Sequence, residues 1–305
     1  MKRWVALCAG LGVVVGCGAE PQQTPGPSAS ATGSAAPAPA SSVPASGPLS
    51  TAAYQAELRR IDQVLTESAR RLTRVRTAEG LADSMSTVAE TLNTVAIRLA
   101  ALTVTTRLNA VHELLKERIG VAAAQLTSSA PKTEDDARCG GVAYTSQKVQ
   151  RQLRTDLDSA IVQLQRLKLS FGKTLPDPGP APEPVRPRSG EILVRRGAEG
   201  TGQVKITNGT AHDVAVSIVS DGQPPGDPQV MVYIQASDTT TVKRIGGTYH
   251  LYFKSGSDWD QTKRKFRADC SFKKFDQTFG RNQGWQINLQ PTTHGNADTT
   301  QVEAY

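Results

Sequence analysis

Aromatic residues make up 5% of the 305-residue chain, which holds only four cysteines, four histidines and three methionines. So little histidine and cysteine leaves scant material for a metal centre. His112 stands beside Glu113 on a helical stretch, with neither a second histidine nor a carboxylate one turn on. It reads as a surface histidine, because a metal needs several ligands on converging faces. Asp258 and Asp260 share a loop-like stretch but fall short of the roughly six to eight oxygens that calcium takes. Serine, histidine and aspartate are scattered, with no nucleophile elbow and no linked order, so no catalytic triad is assigned. Neither enzyme activity nor a cofactor or metal is expected.

Long hydrophobic runs are also missing. The apolar run from Val5 to Val15 falls well short of the roughly 20 residues that cross a bilayer. Like charges are not blocked together. The net charge of +7 and pI near 9.3 read as an interspersed, arginine-rich excess that calls for no partner. The alternative is an anionic partner, wall polymer or phospholipid headgroup; nucleic acid is not expected of an exported chain.

What the start does contain is a secretory signal: Met1-Lys2-Arg3-Trp4, the apolar run, then small residues at a cleavage point. Val14-Val15-Gly16-Cys17 resembles the lipobox of bacterial lipoproteins. That resemblance implies diacylglyceryl transfer to the Cys17 thiol, cleavage before it and acylation of the new amino group. Two or more acyl chains make a stable anchor where one gives marginal binding. An ordinary signal peptide, cut after Ala19 with an incidental cysteine, is the competing reading. Cys8 lies within the run and leaves with the signal.

Composition divides the rest. Residues 17–50 are Ala/Ser/Pro-rich, without periodicity or bulky apolar groups, and are expected to stay disordered. As a coil this tether reaches roughly 30 Å. A second low-complexity stretch, 173–189, carries Pro176, Pro178, Pro180, Pro182, Pro184 and Pro187, and reads as a semi-rigid polyproline spacer. The expected organisation is a signal peptide at 1–16, the tether at 17–50, a helical segment at 51–172, the spacer, and a β-patterned segment at 190–305.

In the helical segment Tyr54, Leu58, Ile61, Leu65, Ser68, Leu72 and Val75 step alternately by four and three. Leu81, Met85, Val88, Leu92, Val95, Leu99 and Leu102 do the same out of phase, with Gly80 at the break, so two antiparallel helices are expected to turn there. Leu108, Val111, Leu115, Ile119, Ala122 and Leu126 mark a third stripe. It follows the β-branched run Thr103–Thr106, which reads as a break or a kink. Val149, Leu153, Leu157, Ile161, Leu164, Leu167 and Phe171 mark a fourth. Ser128–Gly141, with Pro131 and Gly140-Gly141, reads as a loop. The stripes fit a self-contained bundle or an oligomerising coiled-coil hairpin.

The period then changes to two. Seven alternating runs cover Val204–Ile206, Val214–Ile218, Val230–Ile234, Thr239–Ile245, Tyr249–Lys254, Lys265–Lys273 and Trp285–Leu289. Asn208-Gly209 reads as a hairpin turn between the first two; the same Asn208-Gly209-Thr210 matches a glycosylation sequon, which the hairpin makes unnecessary. Ile245-Gly246-Gly247-Thr248-Tyr249-His250-Leu251-Tyr252-Phe253 resembles the strand signature of transthyretin-like (prealbumin-like) sandwiches, with Gly246 where a proline is common. The resemblance implies an accessory or adhesive module. The fold expected is multidomain α plus β: a helical bundle or coiled-coil hairpin, then an antiparallel β-sandwich of about seven strands.

Cys139 and Cys270 remain. Alternation places Cys270 with Phe266 and Phe272 on the apolar face, poorly placed to meet Cys139 across the spacer. Two free thiols are expected, with a disulfide as the alternative. Lys263, Arg264, Lys265 and Arg267 lie near Tyr252 in a basic stretch that continues to Lys273 and Lys274. They are the candidate polyanion-binding residues, set against the plainer reading of an edge strand blunted by lysines. The functional expectation is a membrane-anchored envelope lipoprotein that binds or scaffolds on the exported side of a cell or outer membrane, its partner wall polymer, another envelope protein or a second copy. The alternative is a carbohydrate-binding accessory of a wall-active enzyme system.

Overall fold

The computed structural model describes residues 47–290 and 298–305. The signal peptide, Cys17 and most of the tether lie outside the described residues. Four helices come first, α1 (Thr51–Arg74), α2 (Ala78–Ala100), α3 (Thr106–Gly140) and α4 (Val142–Arg166). A strand-rich region in two sheets follows.

The helices pack through the stripes read from the sequence. Tyr54, Leu58, Ile61, Leu65 and Leu72 of α1 meet Leu81, Met85, Val88, Leu92 and Leu99 of α2 and the apolar faces of α3 and α4 in one core. The chain turns between α1 and α2 at Val75–Thr77, earlier than expected. Gly80 lies inside the first turn of α2, where its amide donates to Thr77 Oγ1 at 3.0 Å. Thr77 therefore caps the helix in the ordinary way for a threonine before a first turn. The β-branched run is a true break: Leu49 donates to Thr103 O at 2.8 Å, and α3 starts at Thr106.

The expected loop at Ser128–Gly141 is helix. α3 runs through Pro131 to Gly140, and α4 begins directly after Gly141, whose φ of +104° suits glycine alone. Composition argued for a loop, but tertiary partners override it. Ala130 and Ala137 are buried in the helical core, and Lys132–Asp136 and Glu134–Arg138 pair one turn apart. His112 is also not on the surface. It is 2% exposed, with Nδ1 3.2 Å from Tyr54 Oη. Its place one turn after Leu108 puts it on the buried stripe.

Nine strands form among the described residues. β1 (Glu191–Arg195), β4 (Val230–Ile234), β3 (Asp213–Ser220), β6 (Tyr249–Asp260), β7 (Lys265–Phe275) and β9 (Thr299–Gln301) make a six-stranded sheet in that order, antiparallel throughout. β5 (Thr239–Ile245), β2 (Gly202–Thr207) and β8 (Gly284–Asn288) make the second, with β2 and β8 parallel. Strands β2 to β8 are the seven alternating runs; β1 and the three-residue β9 carry no such signal. Val204, Ile206, Val216, Ile218, Val232, Leu251, Phe253 and Ile287 fill the space between the sheets.

Asn208-Gly209 is not a hairpin turn. β2 and β3 lie in different sheets, and the dipeptide carries the chain from one to the other. Asn208 is fully buried; its amide nitrogen lies 2.9 Å from His212 O, 3.3 Å from Ile234 O and 3.0 Å from Gln235 O. The side chain therefore ties the crossover to the end of β4. Asn208→Ala strands those carbonyls and is expected to lower the unfolding free energy by about 2 kcal/mol, read from urea melts; an unchanged midpoint would show the ties contribute nothing.

Within the proline-rich stretch, Leu175 sits in the helical core beside Leu169 and Phe171, which precede it. Farther on, Val185 bridges to Trp259, Pro187 is buried, and Arg186 donates to both Asp213 carboxylate oxygens at 2.7 and 2.8 Å.

Candidate functional site

The decisive geometry lies where α3 meets β7. A bulge between Ser255 and Ser257 shifts the register of β6 on β7. A one-residue shift exchanges the faces of a strand. Leu251 and Phe253, before the bulge, face the core between the sheets, whereas Trp259 and Phe266, beyond it, join Ala215, Met231 and Tyr233 on the other face. Cys270 packs against this second cluster. The alternation of β7 was legible, but beyond the bulge Phe266 packs into this second cluster while its alternates Arg267 and Asp269 meet the helices.

The expectation of free thiols is overturned. Cys139, near the end of α3, is bonded to Cys270, with Cα atoms 6.0 Å apart. The bond sits in a polar clasp. Asp136, 5% exposed, accepts the Asp269 amide at 3.1 Å and lies 3.6 Å from Lys148. Lys132 donates to Asp269, and this hydrogen bond, with a second from Ser257, holds the Asp269 carboxyl below its usual range. Gly140 lies flat on the strand: a Cβ there would come within 2.7 Å of both Arg267 Cα and its carbonyl carbon.

The candidate polyanion residues do not form one platform. Lys263 and Arg264 are exposed in the turn between β6 and β7, and Lys265 is half-buried at the start of β7. Burial and the neighbouring Lys263 lower the Lys265 pKa. Tyr252 lies eight positions before Asp260, the last residue of β6, or roughly 26 Å along an extended strand. It is half-buried, edge-on to Tyr305 and 5.8 Å from Lys274 Nζ.

Arg267 is committed internally. Its guanidinium donates to Asp258 at 3.0 Å, pairs with Asp260 at 3.3 Å and stacks 4.7 Å over the Tyr144 ring of α4. Tyr144 in turn donates to Asp258. Burial alone would lower the Arg267 pKa, but the Asp258 hydrogen bond and both carboxylate charges outweigh it and raise it. The two aspartates first considered for calcium therefore neutralise an arginine. No sequence signal linked Tyr144 to a strand more than a hundred residues away.

A second buried cation was missed. Lys254 is 3% exposed on the outward face of β6, with Nζ 4.7 Å from the Tyr305 ring centroid and 3.4 Å from Tyr305 O. Burial pushes it down to about 8, and Lys265 and Arg264 push the same way. Beside it, the Ser217 and Tyr305 hydroxyls are buried, and a hydrogen bond from Ser217 acts on Tyr305.

Among the described residues, no three His, Cys, Asp or Glu side chains gather as metal ligands, and no helix is long and apolar enough to cross a membrane. No protein-family model matches the chain, and neither a curated protein nor a solved structure shows significant similarity to it.

Proposed function

We propose that the chain is a lipid-anchored envelope protein that works by binding or scaffolding rather than by catalysis. Cys17 carries the lipid, the tether follows it, and the body from residue 47 onward is displayed on the exported side of a cell or outer membrane. The observation that carries this reading is the agreement of the Cys17 lipobox with the Cys139–Cys270 bond. Disulfides of this structural kind persist in oxidising compartments outside the cytosol. The lipobox is an address in sequence and the bond is a feature of the fold, so they support export independently.

The joint supports a presenting role. Helices and sheets are linked by a covalent bond, the Lys132–Asp269 ion pair, the Asp269–Asp136 hydrogen bond and the Gly140 contact, which suits a body that offers surfaces at a fixed relative position. The finer reading of the strand region is a transthyretin-like sandwich, supported by the Gly246–Phe253 phrase entering β6. Exposed Lys263 and Arg264 support wall polymer as a partner of the hairpin turn. A coiled-coil oligomer has weaker support, because the apolar stripes are spent on the helical core.

Fractionation tests the anchor's consequence. Exported behind an ordinary cleavable signal and fractionated at high salt, which screens surface charge, Cys17→Ala is expected to move the protein from the membrane pellet to the soluble fraction, with the body folded and oxidised. Retention of the variant in the pellet would show that something other than Cys17 holds it there.

A further inference from the structure

We infer that the outer face of α1 is a docking surface for anionic phospholipid, laying the folded body against the membrane that anchors it. Arg59, Arg60, Arg70, Arg71 and Arg74 are all exposed. At 100° per residue they fall within roughly 120° of the helix surface, along roughly 22 Å of its length. The opposite face of α1 is the buried stripe of Tyr54, Leu58, Ile61, Leu65 and Leu72, so all five point away from the core.

Most of this charge is unspent. Arg60 lies 3.4 Å from Glu57, which Arg98 already neutralises, and Arg70 lies 3.7 Å from Glu67. Arg59, Arg71 and Arg74 have no carboxylate partner among the described residues. Glu67 is the one acid within the stripe. Beside it Val64 is 53% exposed, and Thr87 and Thr91 of α2 complete a shallow groove with Arg60, Gln63 and Arg71.

The chemistry fits a headgroup layer. Guanidinium binds phosphate through paired, directed hydrogen bonds, and a straight helix face presents five of them to a plane at once. An exposed valine among arginines suits an interface where acyl carbon lies below phosphate. The inference rests on the reading that Cys17 keeps the body near a bilayer, because weak surface attraction matters only where the tether holds the local concentration high.

The test separates the two. The mature chain, beginning at position 17 and carrying Cys17→Ala, is mixed with vesicles of phosphatidylcholine alone, or of phosphatidylcholine with phosphatidylglycerol, and floated on a density gradient. It is expected to float only with the phosphatidylglycerol vesicles, and less as salt rises. Each basic residue near such a surface contributes about a fivefold factor, so Arg59→Gln, Arg71→Gln and Arg74→Gln together should cut partitioning about a hundredfold. A control with exposed Lys205, Lys243 and Arg281 changed to Gln should bind like the parent. The inference is overturned if the parent ignores phosphatidylglycerol, if both triple variants fall alike, or if the parent binds soluble polyphosphate but no vesicle. None of these outcomes bears on lipidation of Cys17, which fractionation reads separately.

Discussion

Removing the bond between Cys139 and Cys270, by Cys139→Ala with Cys270→Ala, is expected to lower the unfolding free energy by about 5 kcal/mol. The two residues are 131 positions apart. Linking them denies the unfolded chain a very large set of conformations, and that entropy returns when the link is absent. Urea melts of the variant and of the oxidised parent give the difference directly, and adding reductant to the parent should reproduce it. Gly140→Ala approaches the same joint without touching the bond. Its new methyl group would press on the Arg267 backbone, which cannot turn aside as a side-chain tip can. The last turn of α3 must then lift from β7, at a cost of about 3 kcal/mol. It should also loosen the Asp136–Asp269 and Arg267–Tyr144 contacts, visible as faster amide exchange in β7. If both variants melt like the parent, helices and sheets do not depend on this joint.

Lys254→Met is expected to work in the opposite direction, raising the unfolding free energy at neutral pH by up to about 3 kcal/mol. The buried amine faces the Tyr305 ring and Tyr305 O, and no Asp or Glu side chain pairs with it among the described residues. Its pKa falls from the ordinary 10.5 to about 8. Between those two values the unfolded chain holds a proton that the folded chain has released, so the lysine's penalty shrinks as pH rises through that window. Below it both states are protonated and the full penalty stands. The parent should therefore gain stability between about pH 8 and 10 relative to Lys254→Met, whose length matches the lysine stem without its charge. Parallel stability curves for the two proteins across that window would show that Lys254 is not held away from water.

How much of this was legible in sequence depended on whether the deciding contact was local. The stripes of α1 and α2 were readable because a single helix repeats its buried positions. The seven alternating runs became β2 to β8 for the same reason. Ser128–Gly141 was misread because proline, serine and paired aspartates argue for a loop locally, whereas Asp136 and Cys139 are held in helix by β7. Asn208-Gly209 has the composition of a hairpin turn, yet the strands on either side belong to different sheets. His112 was within reach, since its spacing from Leu108 places it on the buried stripe.

The candidate site was the least legible part. The bulge at Ser255–Ser257 turns the far half of β6 over, and nothing in an alternating pattern announces a one-residue shift. Nor does it announce that Cys270 meets Cys139 or that Arg267 meets Tyr144. Lys254 was passed over because Tyr305, which covers it, lies 51 positions away. The arginines of α1 were visible singly, but their common face emerges only once the buried stripe fixes the helix's orientation.

The claim on which the rest depends is that Cys17 becomes the lipidated first residue of an exported protein. Intact-mass and peptide mass spectrometry of the protein from the membrane fraction measures this directly. The account predicts a mature chain beginning at Cys17 and carrying diacylglyceryl and acyl mass, with Cys139 and Cys270 joined. A chain beginning at any other residue, or an unmodified Cys17, would contradict it.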